Sequence, residues 1–160
     1  LPLVLAGGKG WLTEPIFEAI ERHNLSDSIH LPGFIPTDDL TLWYNSAELF
    51  IFPSIFEGFG LPVLEAMACG TPIMTTNVSS LPEVAQDAGM NLAPDDITAW
   101  VEALQTAYHD RAWREQASQR GLEIAQTFTW EKTARLTLAS YQRALKENDQ
   151  SSTNRTSSNY

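Results

Sequence analysis

The residues best placed to do chemistry lie between Pro53 and Pro72. There Glu57-Gly58-Phe59-Gly60-Leu61-Pro62-Val63-Leu64-Glu65 sets two carboxylates on either side of a glycine-rich turn. Pro62 suits the first turn of a helix, where its missing N–H costs nothing, so the pattern predicts a helix from Leu61 to Cys69. The free N–H groups of its first turn, with those of Gly58, Phe59 and Gly60, would present a positive dipole end to a diphosphate. The glycines let the backbone come close to a ligand. Glu65, about one turn into the helix, is an acceptor with two oxygens suited to the vicinal hydroxyls of a ribose. Glu57 precedes the helix and would lie nearer a sugar. Taken alone, such a pair is more often a helix-start charge and a solvated surface residue than a site.

These residues need a scaffold that brings a strand end and a helix start to one cleft. Leu3-Val4-Leu5-Ala6 reads as a strand ended by Gly7-Gly8, and Pro15 to Arg22 as a helix. The alternation recurs: a strand at Ile29-His30-Leu31 before Gly33, a helix from Asp38 to Ser46, and an apolar strand at Leu49-Phe50-Ile51-Phe52-Pro53. After the Leu61–Cys69 helix come a strand at Pro72 to Thr75, a short helix from Leu81 to Gln86, and a weaker strand around Met90 to Leu92. Strand and helix in this order imply parallel βαβ units, and wholly apolar strands suit a sheet covered on both faces. In such a sheet ligands bind at the carboxyl ends of strands, where Glu57 falls. From Asp96 onward the pattern is helical, over Ile97–His109, Arg111–Gln126 and Trp130–Lys146, the last capped by Thr129. The fold class expected is α/β, a Rossmann-like parallel sheet flanked by helices with a helical C-terminal third. Residues 1–147 are expected to form one domain and residues 148–160, nearly free of apolar side chains, a disordered polar tail.

Composition narrows the partners. A net charge of -10 excludes the clustered cations that nucleic-acid binding needs, but leaves a nucleotide held by backbone amides. The lone Cys69 offers no disulfide framework and no cysteine-based metal site, which suits a reducing, cytoplasmic setting. No apolar run is long enough to span a membrane. His23, His30 and His109 lack metal-ligand spacing, and no metal or cofactor is expected. Asp38 and Asp96 fall at helix starts and are expected to cap them. Gly7-Gly8-Lys9-Gly10 lacks both the Gly-Lys-Ser/Thr ending of a phosphate loop and the G-x-G-x-x-G of a nicotinamide-binding turn.

The segment from Glu57 to Pro72 resembles the E-x7-E signature of the family 4 retaining glycosyltransferases, including its flanking glycines. Leu3 to Trp11, Leu31-Pro32-Gly33-Phe34-Ile35 and Phe128-Thr129-Trp130-Glu131 resemble family segments in the same order, so the likeness covers roughly residues 1–146. The resemblance implies the C-terminal, donor-binding half of a GT-B fold that lacks its first strand. It implies that Glu57, as catalytic residue, and the amides of Phe59 and Gly60 meet the donor sugar, with Gly58 beside them. By the same resemblance the Leu61 amide meets phosphate, Glu65 holds the ribose and Ile35 meets the base. The donor would be a nucleoside-diphosphate hexose; Trp11 resembles members that use mannose-type donors. Transfer with retention follows, without a metal, to an acceptor held by an N-terminal domain outside this chain. Membrane association is expected only through that half. The chain departs from the family in lacking the strand and the R-x4-K pair that open this half, whose cations neutralise the leaving diphosphate. The fragment alone is therefore expected to be inactive and marginally stable, its sheet either gapped or closed by direct pairing of the strands at residues 3–6 and 49–53. Two alternatives stay open: a non-catalytic nucleotide-binding or regulatory module of this fold, and a GT-B nucleotide-sugar epimerase.

Overall fold

The computed structural model describes residues 2–8, 10 and 13–156, with side-chain environments given up to residue 147. Lys9 and Trp11 lie outside the described residues. The chain divides into two units, residues 1–47 and 48–160.

In the first unit β1 (Leu3–Ala6) leads through α1 (Glu14–Arg22) to β2 (Ile29–Gly33) and then α2 (Thr37–Ser46). β1 and β2 pair in parallel, with Leu3 opposite Ile29 and the register slipping between Val4 and Ala6. The apolar run of β1 suits a strand covered on both faces, yet Leu3 and Val4 are exposed, as is Leu31 of β2. Two strands expose much of their apolar surface, which is why such ribbons depend on further elements for stability.

In the second unit β3 (Phe50–Phe52), α3 (Leu61–Ala68), β4 (Ile73–Thr76), α4 (Leu81–Ala85) and β5 (Gly89–Leu92) follow in order. Their strands form a parallel sheet in the order β3-β4-β5. Among the described residues the strands form a two-stranded sheet, β1-β2, and a three-stranded one, β3-β4-β5. β4 is central and buried throughout its length. Met74 on β4 packs with Ala103 and Ala107 of α5 (Ile97–His109), closed in by Leu49, Met90, Leu92, Trp100 and Trp113. α3 buries Val63, Ala66 and Met67 and packs against α6 (Arg111–Ala125). Gly121 of α6 faces this contact, and a Cβ there would meet the Met67 side chain at an ordinary van der Waals distance of 3.4 Å. Burying one such methionine contributes about 1.5–3 kcal/mol.

Helix starts follow the sequence in part. The Asp96 carboxylate caps α5 by accepting from the Ala99 N–H at 3.0 Å, and Thr129 caps α7 (Trp130–Thr156) through the Lys132 N–H at 3.1 Å. Asp110 caps α6 in the same way, through the Trp113 N–H at 2.8 Å. Asp38 does not cap α2. That helix begins one residue earlier, after Pro36, which has no side-chain acceptor, and Asp38 lies inside the first turn. α7 continues to Thr156, into the segment expected to be a tail from residue 148. No glycine or proline interrupts the chain after Trp130, so nothing local ends the helix. None of the described helices is long and apolar enough to cross a membrane.

Candidate functional site

The second unit brings Glu57, Gly58, Phe59, Gly60, Leu61 and Glu65 to one place, the carboxyl end of β3 and the start of α3. β3 ends at Phe52 because Pro53 has no N–H for a further ladder bond. The loop of residues 53–60 then turns into α3 at Gly60, the helix N-cap, with φ +100° and ψ 45°. Only glycine adopts that conformation without strain. Gly60 is also buried, and a Cβ built on it would come within 2.7 Å of Leu81 Cδ2.

The Val63 and Leu64 N–H groups donate to the Gly60 carbonyl at 3.0 and 3.3 Å, and Pro62 has none to donate. Among the described residues the amides of Gly58, Phe59, Gly60 and Leu61 make no hydrogen bond. Four successive unspent donors at the N-terminus of a helix form an anion-binding concavity, strengthened by the helix dipole. Leu61 and Glu65 lie one turn apart on α3 and both are exposed, so the Glu65 carboxylate stands on the same side of the helix as the first free amide. Glu57 is half-buried. Phe59 meets Phe128 edge to face, with ring centroids 5.8 Å apart, which ties the loop to the segment preceding α7.

Hydroxyl groups of β4 and the turn after it hold the loop from the other side. Thr75 Oγ1 donates to the Phe52 carbonyl at 2.9 Å and Thr76 Oγ1 to the Ser54 carbonyl at 2.6 Å. Ser79 Oγ accepts from the Glu57 N–H at 3.1 Å and donates to the Glu57 carbonyl at 2.6 Å, and Ser80 Oγ donates to the same carbonyl at 3.0 Å. Ser79 and Ser80 precede Leu81-Pro82-Glu83, a stretch whose residue types alone leave it outside the site. Their signal was two small hydroxyl residues just past a strand end, on the side where an open parallel sheet binds ligands. Glu83, on the first turn of α4, is exposed.

Cys69, at the C-cap of α3, has its thiol pKa pushed up by burial and then by the Glu65 carboxylate, which favours the protonated thiol. Ile35 belongs to the first unit, two residues after Gly33 with its φ of +78°. Its side chain is only 9% exposed, whereas Phe34 is 75% exposed. A cavity of about 450 Å³ elsewhere in the second unit is lined by Asp87, Trp113, Gln116 and Arg120. It shares no residue with the loop and helix start, and its one cation is committed to Asp87 at 2.9 Å and Glu123 at 3.3 Å.

Comparison with known proteins adds the following. The family model described as glycosyl transferases group 1 matches residues 1–124. The chain is 41% identical over 140 residues to the O-antigen chain mannosyltransferase B of Escherichia coli, covering 88% of this chain and 37% of that protein. It is 37% identical over 140 residues to the serotype-specific mannosyltransferase WbdA of the same organism, covering 86% of this chain and 17% of that one. Among solved structures, the sucrose-phosphate synthase of Thermosynechococcus elongatus superposes with a TM-score of 0.78 at 30% identity, over 91% of this chain and 39% of the synthase. The chain thus spans well under half the length of each of these three proteins.

Proposed function

Because the chain belongs to the glycosyl transferases group 1 family, we propose that its second unit is the donor site of a hexosyltransferase, holding a nucleoside-diphosphate sugar for transfer with retention. Mannose is the sugar, as the two mannosyltransferase relatives suggest. The observation that carries this reading is the run of unspent amides from Gly58 to Leu61 between the carboxylates of Glu57 and Glu65.

In this reading the diphosphate sits on the start of α3. As the bond from the anomeric carbon to the diphosphate oxygen breaks, negative charge grows on the leaving group. The Leu61 amide, the neighbouring glycine amides and the helix dipole stabilise that charge without having to reorganise. Glu65 accepts hydrogen bonds from the ribose hydroxyls and fixes the nucleoside. Glu57 acts at the sugar, where an ionised carboxylate accepts from hydroxyls and favours positive charge at the anomeric centre. The leaving diphosphate assists the incoming hydroxyl on the same face, and no metal is called upon.

The acceptor lies on a second, N-terminal domain of a longer protein. Two observations support this: the partial coverage of both relatives, and the apolar residues Leu138, Tyr141 and Leu145, exposed on one side of α7 with Trp130 at its start. The test is calorimetric titration of the full-length protein with GDP-mannose, UDP-glucose, ADP-glucose and NAD, with Glu65→Ala alongside. Binding of one nucleotide sugar, weakened at least tenfold by the substitution, is expected. Binding of NAD alone, or a nucleotide-sugar affinity that Glu65→Ala leaves unchanged, overturns the reading. Binding without turnover on any acceptor favours the non-catalytic module.

A further inference from the structure

The main chain of Glu57 is held by side chains from outside its own turn. Both of its peptide groups are engaged by one side chain: the Ser79 hydroxyl accepts from its N–H at 3.1 Å and donates to its carbonyl at 2.6 Å. A residue fixed at both N and O has its φ and ψ set from outside, which leaves only side-chain rotation free. Ser79 takes part from a left-handed backbone conformation, φ +59°, that serine rarely adopts. Ser80 makes a second exception. It occupies the N-cap of α4, where a serine side chain normally accepts from the N–H of its own helix. Here it makes no such bond and donates to the Glu57 carbonyl instead, at 3.0 Å.

Two hydroxyl residues thus each forgo an ordinary local conformation or bond, and both are directed at the main chain of one carboxylate residue 22 and 23 positions away. Thr75 and Thr76, fully buried on β4, hold Phe52 at the end of β3 and Ser54 in the loop and continue the arrangement back to the strand end. Strained or unusual local geometry that the surroundings enforce is a mark of functional pre-organisation.

We infer that Ser79 and Ser80 are positioning residues that clamp the main chain of Glu57 so that its carboxylate is presented to the donor sugar. The inference rests on the reading of Glu57 as the residue that meets that sugar. It predicts a division of labour, in which the clamp governs recognition of the sugar and the turnover step but leaves nucleotide binding to the α3 amides and Glu65.

The test uses the full-length protein and the variants Ser79→Gly, Ser80→Ala and Ser80→Thr, with titration by GDP-mannose and by GDP alone. If the wild type selects uridine, UDP-glucose and UDP replace them. Ser79→Gly keeps the left-handed backbone open while removing the hydroxyl, so it separates the clamp from the conformation. Loss of its two hydrogen bonds is expected to lower kcat by roughly tenfold and to erase much of the affinity advantage of the nucleotide sugar over the nucleotide. GDP affinity and the thermal midpoint should stay near wild type. Ser80→Ala should follow in the same direction with a smaller loss, and Ser80→Thr, which keeps the hydroxyl, should restore most of it. Equal weakening of GDP and GDP-mannose would assign the serines a merely structural role and overturn the inference, as would variants indistinguishable from wild type. If the wild type binds no nucleotide sugar, the reading of the donor site falls first, and the clamp with it.

Discussion

Gly60→Ala should destabilise the second unit for two separable reasons, and the structure gives a size to each. The first is backbone strain. Gly60 sits at φ +100°, where an L side chain crowds its own carbonyl, at a cost of about 1–2 kcal/mol. The second is contact. The new Cβ would stand 2.7 Å from Leu81 Cδ2, and Leu81 is fully buried, so its side chain has no open space to enter. Forcing a methyl into packed surroundings costs about 1–3 kcal/mol, for a combined loss of about 2–5 kcal/mol. Urea denaturation followed by tryptophan fluorescence suits the measurement, because Trp100 and Trp113 pack against the core of this unit. The double-mutant cycle with Leu81→Val, which removes Cδ2, isolates the contact. Gly60→Ala should cost about 1–3 kcal/mol less in the valine background than in the wild type. Equal costs in the two backgrounds would refute the steric half of the reasoning, and a total below about 0.5 kcal/mol would refute the strain argument too.

Further outcomes follow from the same geometry. Asp96→Ala and Asp110→Ala each remove a helix cap and should each lower stability by about 1 kcal/mol in urea titrations, while Asp38→Ala, which removes no cap, should stay within about 0.5 kcal/mol of wild type. The Arg120 guanidinium hydrogen-bonded to Asp87 holds its carboxyl below the usual carboxylate range. Its contribution is therefore present above the unfolded pKa and lost as pH falls through the folded one. The gap in urea midpoint between wild type and Asp87→Asn should be visible near pH ~6 and shrink toward pH ~3; a gap that widens in acid would contradict the pairing. Phe128→Ala removes the edge-to-face partner of Phe59 and should weaken donor binding by a few-fold, about 0.5–1.5 kcal/mol, read by titration; unchanged affinity would show that the loop needs no such tether.

The elements that frame the candidate site were legible because their signals are local. Pro62 marks a helix start wherever it stands, Gly60 marks a backbone turn, and Phe50-Ile51-Phe52 ended by Pro53 marks a strand and its end. Thr129 and Asp96 cap their helices as read, since a cap needs only an acceptor three residues before an N–H. Asp38 failed as a cap because the helix start moved to Thr37, a one-residue shift that propensity alone cannot fix.

The sequence by itself determined the order of strands and helices, the place of Glu57 and Glu65 around the start of α3, and the family, because each depends on residue type over a few neighbouring positions. Only the tertiary structure decided which donors remain unspent, which hydroxyls hold Glu57, why Gly60 must be glycine, and that the strands fall into two sheets. Those depend on contacts between residues some twenty positions apart or more, as between Glu57 and Ser79 or Gly60 and Leu81. Contacts at that distance are set by how β3 and β4 pair and where the chain turns after them, and no local pattern encodes that.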